Sequence, residues 1–353
     1  MIFLGDFVYP FDQKVGFYEF DSDFLSSPKV VNLESLILKK NVKYEKQTLG
    51  VALHSSTYAF DILEELNVKA VGLANNHITD YDYNIQELLT SLNHKDIGHS
   101  GAGANLKEAM QASFIEDNDF KYAILSFGWD VIGCQNATKK KAGTAPLNQE
   151  LILQTIRDIR QKYRDYKIIL YLHWNYEFEY YPQPADRKLA FEAIDIGCDA
   201  VIGHHPHIVG VYEEYKNKPI FYSLGNFYVP EYTFGNFHLK YNKQASLGLG
   251  IKYHPVLENI QLYWINNSNN ILSIKTSEKL YQTKILENFT NHFQNDLEEY
   301  ASWFKENRIK KQLLPVYTEH NKSLRNVVNY FILKLRNYLI YKLTVFGLRR
   351  KKV

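Results

Sequence analysis

Three imidazoles stand within four residues in the run His204-His205-Pro206-His207. Histidine is the commonest metal ligand, and a His-x-His spacing on an extended chain sends both rings to one side. Four other short apolar runs end on polar side chains of the same kind. Residues 2–5 lead into Asp6, and residues 30–33 into Glu34. Residues 68–74 lead into Asn75, Asn76, His77 and Asp80, and residues 167–172 into His173, Trp174 and Glu177. Singly, each has a plainer reading: Asp6 as a helix cap, Glu34 as a solvated charge, Asn75-Asn76 as a turn. Together they supply carboxylates, an amide oxygen and imidazoles without a thiolate. That donor set suits Mn, Zn or Fe and does not resemble a closed structural zinc site.

The elements that must carry these groups alternate along the chain. Residues 2–5, 30–33, 68–74, 122–127, 167–172 and 200–203 are short and apolar, rich in branched or aromatic side chains, and predict strands. Residues 58–66, 84–93, 150–163 and 186–196 carry helical spacing between them. The pattern predicts an α/β domain around a largely buried mixed sheet. In open α/β sheets ligands bind outside the carboxyl ends of strands, where all five polar ends fall. Residues 208–215, 219–224, 246–253 and 257–265 predict antiparallel strands that form a second sheet or finish the first. An Asn-rich turn at 266–270 precedes a last strand at 271–275. Beyond about residue 280 the pattern turns helical, over 283–307 and 323–346, with Pro315 in the loop between. The expected division is therefore 1–280 for the α/β domain and 281–353 for a helical C-terminal region with a basic tail.

Composition narrows the function classes. Hydrophobic residues make up 45% of the 353, enough for a substantial core, which excludes global disorder. The net charge of +2 is uneven: from His320 onward there are nine Lys/Arg and no acid, leaving 32 basic against 39 acidic residues elsewhere. An acidic body with a basic appendage speaks against a dedicated nucleic-acid binder. Cys134 and Cys198 lack any CxxC spacing, which excludes a disulfide framework or cysteine zinc site. The opening Met1-Ile2-Phe3-Leu4-Gly5-Asp6 has no basic region of a signal peptide, and no run reaches about 18 apolar residues, so the expected location is cytoplasmic. Leu324, Val328, Phe331, Leu335, Leu339, Leu343 and Phe346 follow helical spacing, interrupted by Lys334, Arg336 and Lys342. Such a helix docks on the main domain or on an identical subunit, or it lies at an anionic membrane surface with Arg349-Arg350-Lys351-Lys352. Ile332, Leu333 and Ile340 widen its apolar side and favour docking.

The order Gly5-Asp6, Asn32-Leu33-Glu34, Ala74-Asn75-Asn76-His77 with Asp80, His173-Trp174 with Glu177, Gly203-His204-His205-Pro206-His207, and Tyr222-Ser223-Leu224-Gly225-Asn226-Phe227 resembles the CapA family. That family is associated with poly-gamma-glutamate capsule synthesis and lies in the calcineurin-like metallophosphoesterase superfamily. The resemblance covers roughly residues 1–265. It implies a four-layer α/β/β/α sandwich with a centre for two divalent metal ions. On that likeness Asp6 is a ligand of the first metal and Glu34 the bridging or second-metal carboxylate. Asn76 is an amide-oxygen ligand, His173 a further ligand, and two of His204, His205 and His207 complete the set, the spacing favouring His205 and His207. His77 protonates the leaving group and Asp80 orients it, while Asn75, Trp174, Glu177 and Asn226 are expected at the substrate face. The implied activity is hydrolysis of a phosphoester in capsule or surface-polymer synthesis. The alternatives are a non-catalytic accessory protein of polymer synthesis or export, and an amide hydrolase acting on an acidic polymer. Three positions depart from the family pattern: Val8 replaces a histidine, and Asn175 and Asp82 replace glycines.

Overall fold

The structure is a computed structural model that describes residues 1–15, 20–48, 50–240, 243–268, 270–293, 296–309 and 314–345. Fourteen strands form two large sheets. The strands are β1 (Ile2–Phe7), β2 (Lys29–Leu33), β3 (Val68–Gly72), β4 (Gly98–Ser100), β5 (Ser113–Glu116), β6 (Lys121–Gly128) and β7 (Lys167–His173). They continue with β8 (Ala200–His204), β9 (Tyr212–Tyr215), β10 (Lys218–Phe221), β11 (Asn226–Tyr228), β12 (Leu247–Lys252), β13 (Gln261–Ser268) and β14 (Ile271–Lys279). The first sheet has the order β14-β13-β12-β1-β2-β3-β4, with β11 paired beside the end of β1. The second has the order β9-β10-β8-β7-β6-β5. Parallel strands make the centre of each sheet, and the hairpins β12-β13-β14, β9-β10 and β5-β6 add antiparallel strands at the margins.

Strand periodicity sorts the side chains into distinct cores. In β7, Ile168, Leu170 and Leu172 pack with α3 (Gln149–Lys162) and α4 (Pro184–Asp195). The alternate residues Ile169 and Tyr171 share a core with Phe3 of β1 and Val30 of β2, so the two sheets meet there. Leu4, Val31 and Val71 point the other way, onto α1 (Ala59–Glu65) and α2 (Ile85–His94). The helices begin where side chains can cap them: Asn84 accepts from Gln86 N, Asn148 accepts from Leu151 N, and Pro184 opens α4. The mixed α/β class follows the sequence pattern.

Two local expectations are corrected. Residues 257–259 form a short 3-10 turn, and the strand starts only at Gln261. Of the helix expected over 283–307, only α5 (Leu297–Asn307) is helical among the described residues. The preceding residues pair instead with the edge of β9: Tyr212 N donates to Glu287 O at 2.9 Å and Phe289 N to Tyr212 O at 2.7 Å. An exposed strand edge offers those amides a partner that a helix would forgo. The helix α6 (Leu324–Val345) docks only narrowly, since Leu333 is buried while the predicted apolar stripe faces outward. Phe346 and the basic run 349–352 lie outside the described residues.

The chain passes from the second sheet to the first across residues 222–225, and glycines make room for it. Leu224 N donates to Gly203 O at 3.1 Å, and Asp6 N donates to Gly225 O at 3.1 Å. A Cβ on Gly203 would lie 2.0 Å from Tyr222 O, and one on Gly5 only 1.9 Å from Gly225 O. Both clashes are with backbone, which has no rotamer to yield. Gly5→Ala therefore lowers the unfolding free energy by about 1–3 kcal/mol. Gly50→Ala, whose added carbon would meet only the Thr48 hydroxyl at 3.6 Å, leaves it unchanged. Urea titrations of the two variants make the comparison.

Candidate metal centre

The polar strand ends converge through strand register. In β1, Asp6 pairs across to Asn32 of β2 on one side and to Asn226 of β11 on the other, and the register slips at Asp6. Such bulges re-aim a side chain at a strand end. In the second sheet, His173 at the end of β7 pairs with His204 at the end of β8. Asp6, Glu34, His173, His204, His205 and His207 are all buried. Asn76 and His77 are half-buried beside them.

Two groups of donors form. Ligand atoms of Asp6, Glu34 and His173 all lie within 4.8 Å of one another, and so do those of Glu34, His205 and His207. Glu34 belongs to both, so its carboxylate occupies the shared position. His173 Nε2 is 3.3 Å from Glu34 Oε1 and 2.8 Å from Asn76 Oδ1, which brings the amide oxygen into the cluster. His207 Nδ1 lies 3.2 Å from Asp6 Oδ2, 3.8 Å from Glu34 Oε2 and 2.9 Å from Asn226 Oδ1. His204 falls in neither group; its ring packs on Tyr171 at 4.0 Å and its Nδ1 is 3.5 Å from Asp6 Oδ1.

The histidine run does not use an extended chain. Strand β8 stops at His204, and His205 and His207 have φ of +94° and +58°. Left-handed backbone at a residue other than glycine costs roughly 1–3 kcal/mol, so the surrounding structure must impose it. The turn brings both imidazoles to Glu34, a convergence that the His-x-His spacing reached by a different geometry.

The donors fit divalent cations on their hydrogen bonding. Among the described residues, no hydrogen bond reaches Asp6 Oδ2, either oxygen of Glu34, or His205 Nδ1. Buried polar atoms are nearly always satisfied, and a cluster of exceptions aimed at one another is the pattern of an ion site. The electrostatics agree. Burial drives Glu34 upward and the adjacent Asp6 charge adds to it, so its pKa is pushed up to about 8. Burial also opposes ionisation of Asp6, but His204 and His207 prevail and hold it well below the usual carboxylate range. Burial alone would lower His207, yet Glu34 and Asp6 raise it to about 10. Burial keeps His173 and His205 well below the ordinary imidazole value, hence neutral and able to ligate.

Other expected residues take supporting places. His77 Nδ1 meets Asp80 Oδ2 at 2.6 Å, and that same oxygen accepts from Leu53 N at 2.8 Å. Glu177 is exposed, near enough for its charge to act on His207. Three residues expected at the substrate face are buried. Trp174 is fully buried, donating from Nε1 to Tyr222 O at 3.0 Å and stacking on that ring. Asn75 is buried, with Nδ2 donating to Leu33 O at 2.8 Å and Oδ1 accepting from His77 N. Asn226 is buried and holds His207 while donating to Ala245 O at 3.1 Å. All three are apolar-backed or backbone-committed groups that steady the strand ends.

Asn32 carries a role the sequence pattern leaves unassigned: its Nδ2 donates to Asp6 Oδ1 at 2.7 Å and lies 3.4 Å from His173 Nδ1. Its place on β2, two residues before Glu34, which follows the last residue of that strand, is the available signal. The three departures also find their places. Val8 is buried in a small apolar core with Leu53, Val229 and Phe234. Asn175 has φ of +64° and its side chain bonds Tyr181 O and Gln183, which explains a site where glycine is otherwise usual. Asp82 accepts from Glu45 N in an exposed loop.

Comparison with known proteins follows the same residues. Positions 21–231 match the family described as bacterial capsule synthesis protein PGA_cap. The capsule biosynthesis protein CapA of Bacillus anthracis is 30% identical over 212 residues, which is 59% of this chain and 50% of that protein. The PGA biosynthesis protein CapA of Bacillus subtilis (strain 168) is 31% identical over 187 residues, 52% of this chain and 48% of that protein. A probable polyglutamine synthesis accessory protein of Mycobacterium tuberculosis is 26% identical over 207 residues, 56% of this chain and 54% of its own. The chain thus spans about half the length of the curated relatives it matches.

With pKa values of about 8 and about 10, Glu34 and His207 both hold protons at pH 7, and a cation entering between them must displace those protons. Mn²⁺ affinity therefore rises as pH climbs from 6 towards 9 and falls in acid. Calorimetric titration in two buffers of different ionisation heat reads the released protons directly. Proton-free, pH-independent binding contradicts the assignment.

Proposed function

This chain belongs to the bacterial capsule synthesis protein family, and from that premise we propose that it is a metal-dependent hydrolase acting on a phosphoester in the synthesis of a capsule or related surface polymer such as poly-gamma-glutamate. The observation that carries the proposal is the pair of buried donor groups that share Glu34 and leave its oxygens without hydrogen bonds. Divalent ions held there by Asp6, Glu34, Asn76, His173, His205 and His207 would supply an activated water and neutralise charge on a phosphoryl oxygen.

The residues of the chain divide the remaining work. Asn32 and Asn226 orient Asp6, His173 and His207 through their amides. His77 holds the proton. Burial alone would lower its pKa, but the Asp80 carboxylate more than offsets this and raises it. Asp80 engages Nδ1 and is itself pinned by Leu53 N, so Nε2 is the nitrogen that gives a proton to a departing alkoxide. The half-buried position of His77 lets a leaving group reach it.

A second reading has support in the Mycobacterium relative, whose name describes an accessory protein. In that reading the site binds its ions and an acidic polymer without turnover. An activated water can equally attack an amide carbonyl, so a poly-glutamate substrate belongs in the same assay. Hydrolysis of bis-p-nitrophenyl phosphate by Mn²⁺-loaded protein supports the phosphoester reading. Cleavage of poly-glutamate alone selects the amide reaction. Tight Mn²⁺ binding with no hydrolysis of either selects the accessory role.

Within the phosphoester reading, His77→Ala slows cleavage of an alkyl phosphodiester by about 10²–10⁴-fold. Cleavage of the p-nitrophenyl ester, whose leaving group needs no proton, is nearly unchanged. Steady-state rates on the two esters measure the contrast, and equal losses on both exclude an acid role for His77.

A further inference from the structure

The helix α6 presents chemistry that the metal centre does not use. Leu324, Val328, Phe331, Leu335, Leu339 and Leu343 recur at helical spacing, and all six are exposed, Leu324 at 81% and Phe331 at 69%. They form one continuous stripe about 29 Å long. A soluble surface seldom carries so extended an apolar strip without a use for it. Among the described side chains of the helix only Leu333 is buried against the body, with Tyr330 partly packed beside it.

The root of the helix is firmly held. His320 contacts buried Asp186 at 2.7 Å and packs edge-on to Trp129 at 5.2 Å. Asn326 of the first turn donates to Glu319 O at 2.7 Å. Trp129 N in turn donates to His173 O at 3.0 Å, so the attachment sits beside a metal-site strand end. These contacts fix where the helix starts, and the stripe runs outward from that point.

Charge identifies what covers it. The helix contains Arg325, Lys334, Arg336 and Lys342 and no acidic residue, and Arg349-Arg350-Lys351-Lys352 follow in the sequence. Lys334 Nζ lies over Tyr330 at 5.2 Å and Lys342 Nζ over Tyr338 at 5.5 Å. Both ammonium groups lie over aromatic rings of the same helix, so cations stand beside apolar surface, and their long side chains can reach headgroups from it. A second copy of the helix would bring like charges together. No helix among the described residues is long and apolar enough to cross a membrane. We infer that α6 binds in the plane of an anionic lipid surface, its leucine and phenylalanine stripe in the headgroup region and its cations on lipid phosphates.

Cosedimentation of the full chain with vesicles tests this at low ionic strength, comparing pure phosphatidylcholine with vesicles holding roughly one-third phosphatidylglycerol. Partition into the anionic vesicles is at least about tenfold stronger and declines with added salt. The triple variant Phe331→Ser, Leu335→Ser, Leu339→Ser loses it. Replacing Arg349, Arg350, Lys351 and Lys352 by glutamine weakens it while leaving the apolar stripe intact. Unchanged Mn²⁺ binding verifies that each variant is folded. Equal partition into both vesicle types, or undiminished binding by the triple variant, overturns the inference. A stable dimer that the triple variant dissociates also overturns it and assigns the stripe to a second copy.

Discussion

Two carboxylates, Asp6 and Glu34, are buried within reach of the same imidazoles, and neither could stay there as an isolated charge. Removing an ion from water costs several kcal/mol even after relaxation. Here that cost is met partly by His207, held between them, and partly by Asn32, which donates to Asp6. What stays unmet is concentrated on Asp6 Oδ2 and both oxygens of Glu34. A protein that tolerates such a concentration at one point keeps positive charge available to it, and the donor set is suited to divalent ions. Positions around the cluster serve that requirement: neutral His173 and His205, the left-handed turn at His205 and His207, and the asparagines that steer their neighbours.

The centre also depends on how the sheets are joined. Asp6 and Glu34 come from the first sheet, His173 and the histidine run from the second, so the donors meet only if the two sets of strand ends keep a constant relation. The crossing at residues 222–225 maintains it. It hydrogen-bonds Gly203 on one side and Asp6 on the other, then delivers Asn226 to His207. Gly5 and Gly203 let the backbones approach to distances that any side chain would block. Trp174 and Tyr222, stacked under the same junction, fill the volume below it. Asn226 thus holds His207 beside the strand end of Asp6.

A second buried ionic network ties the C-terminal segment to the domain. Arg187 and Glu213 are both fully buried, 2.6 Å apart, with Tyr222 OH donating to Glu213 Oε2 at 2.8 Å. The guanidinium lies over Tyr300 and Phe293 and donates to Asp296 O, so α4, β9 and the start of α5 close around one charge pair. Removing one member of such a pair strands the other in the core, which holds these elements to a single arrangement. Through Tyr222 the network touches the sheet crossing, so the C-terminal segment is packed onto the same architecture that supports the metal centre.

The sequence by itself determined which polar side chains stand at the ends of strands. Short apolar runs ending in Asp6, Glu34, Asn76, His173 and the histidine run were legible because strand periodicity and the carboxyl-end rule act locally, and the mixed α/β class followed. The pairing of His77 with Asp80 was expected from the likeness to the CapA family, and the two side chains meet. Tertiary structure alone decided which of these groups share a candidate ion site, because that depends on register between strands up to about 200 residues apart and on the crossing between sheets. It decided that Glu34 is common to both donor groups, that His204 turns to Tyr171, and that Trp174 faces the core. It also decided that residues 287–289 pair with β9 although their composition suits a helix, and that α6 keeps its apolar stripe outward. Spacing specifies which side chains can point the same way along one element. Which elements meet, and which faces remain in contact with solvent, is set by packing between segments far apart in the chain.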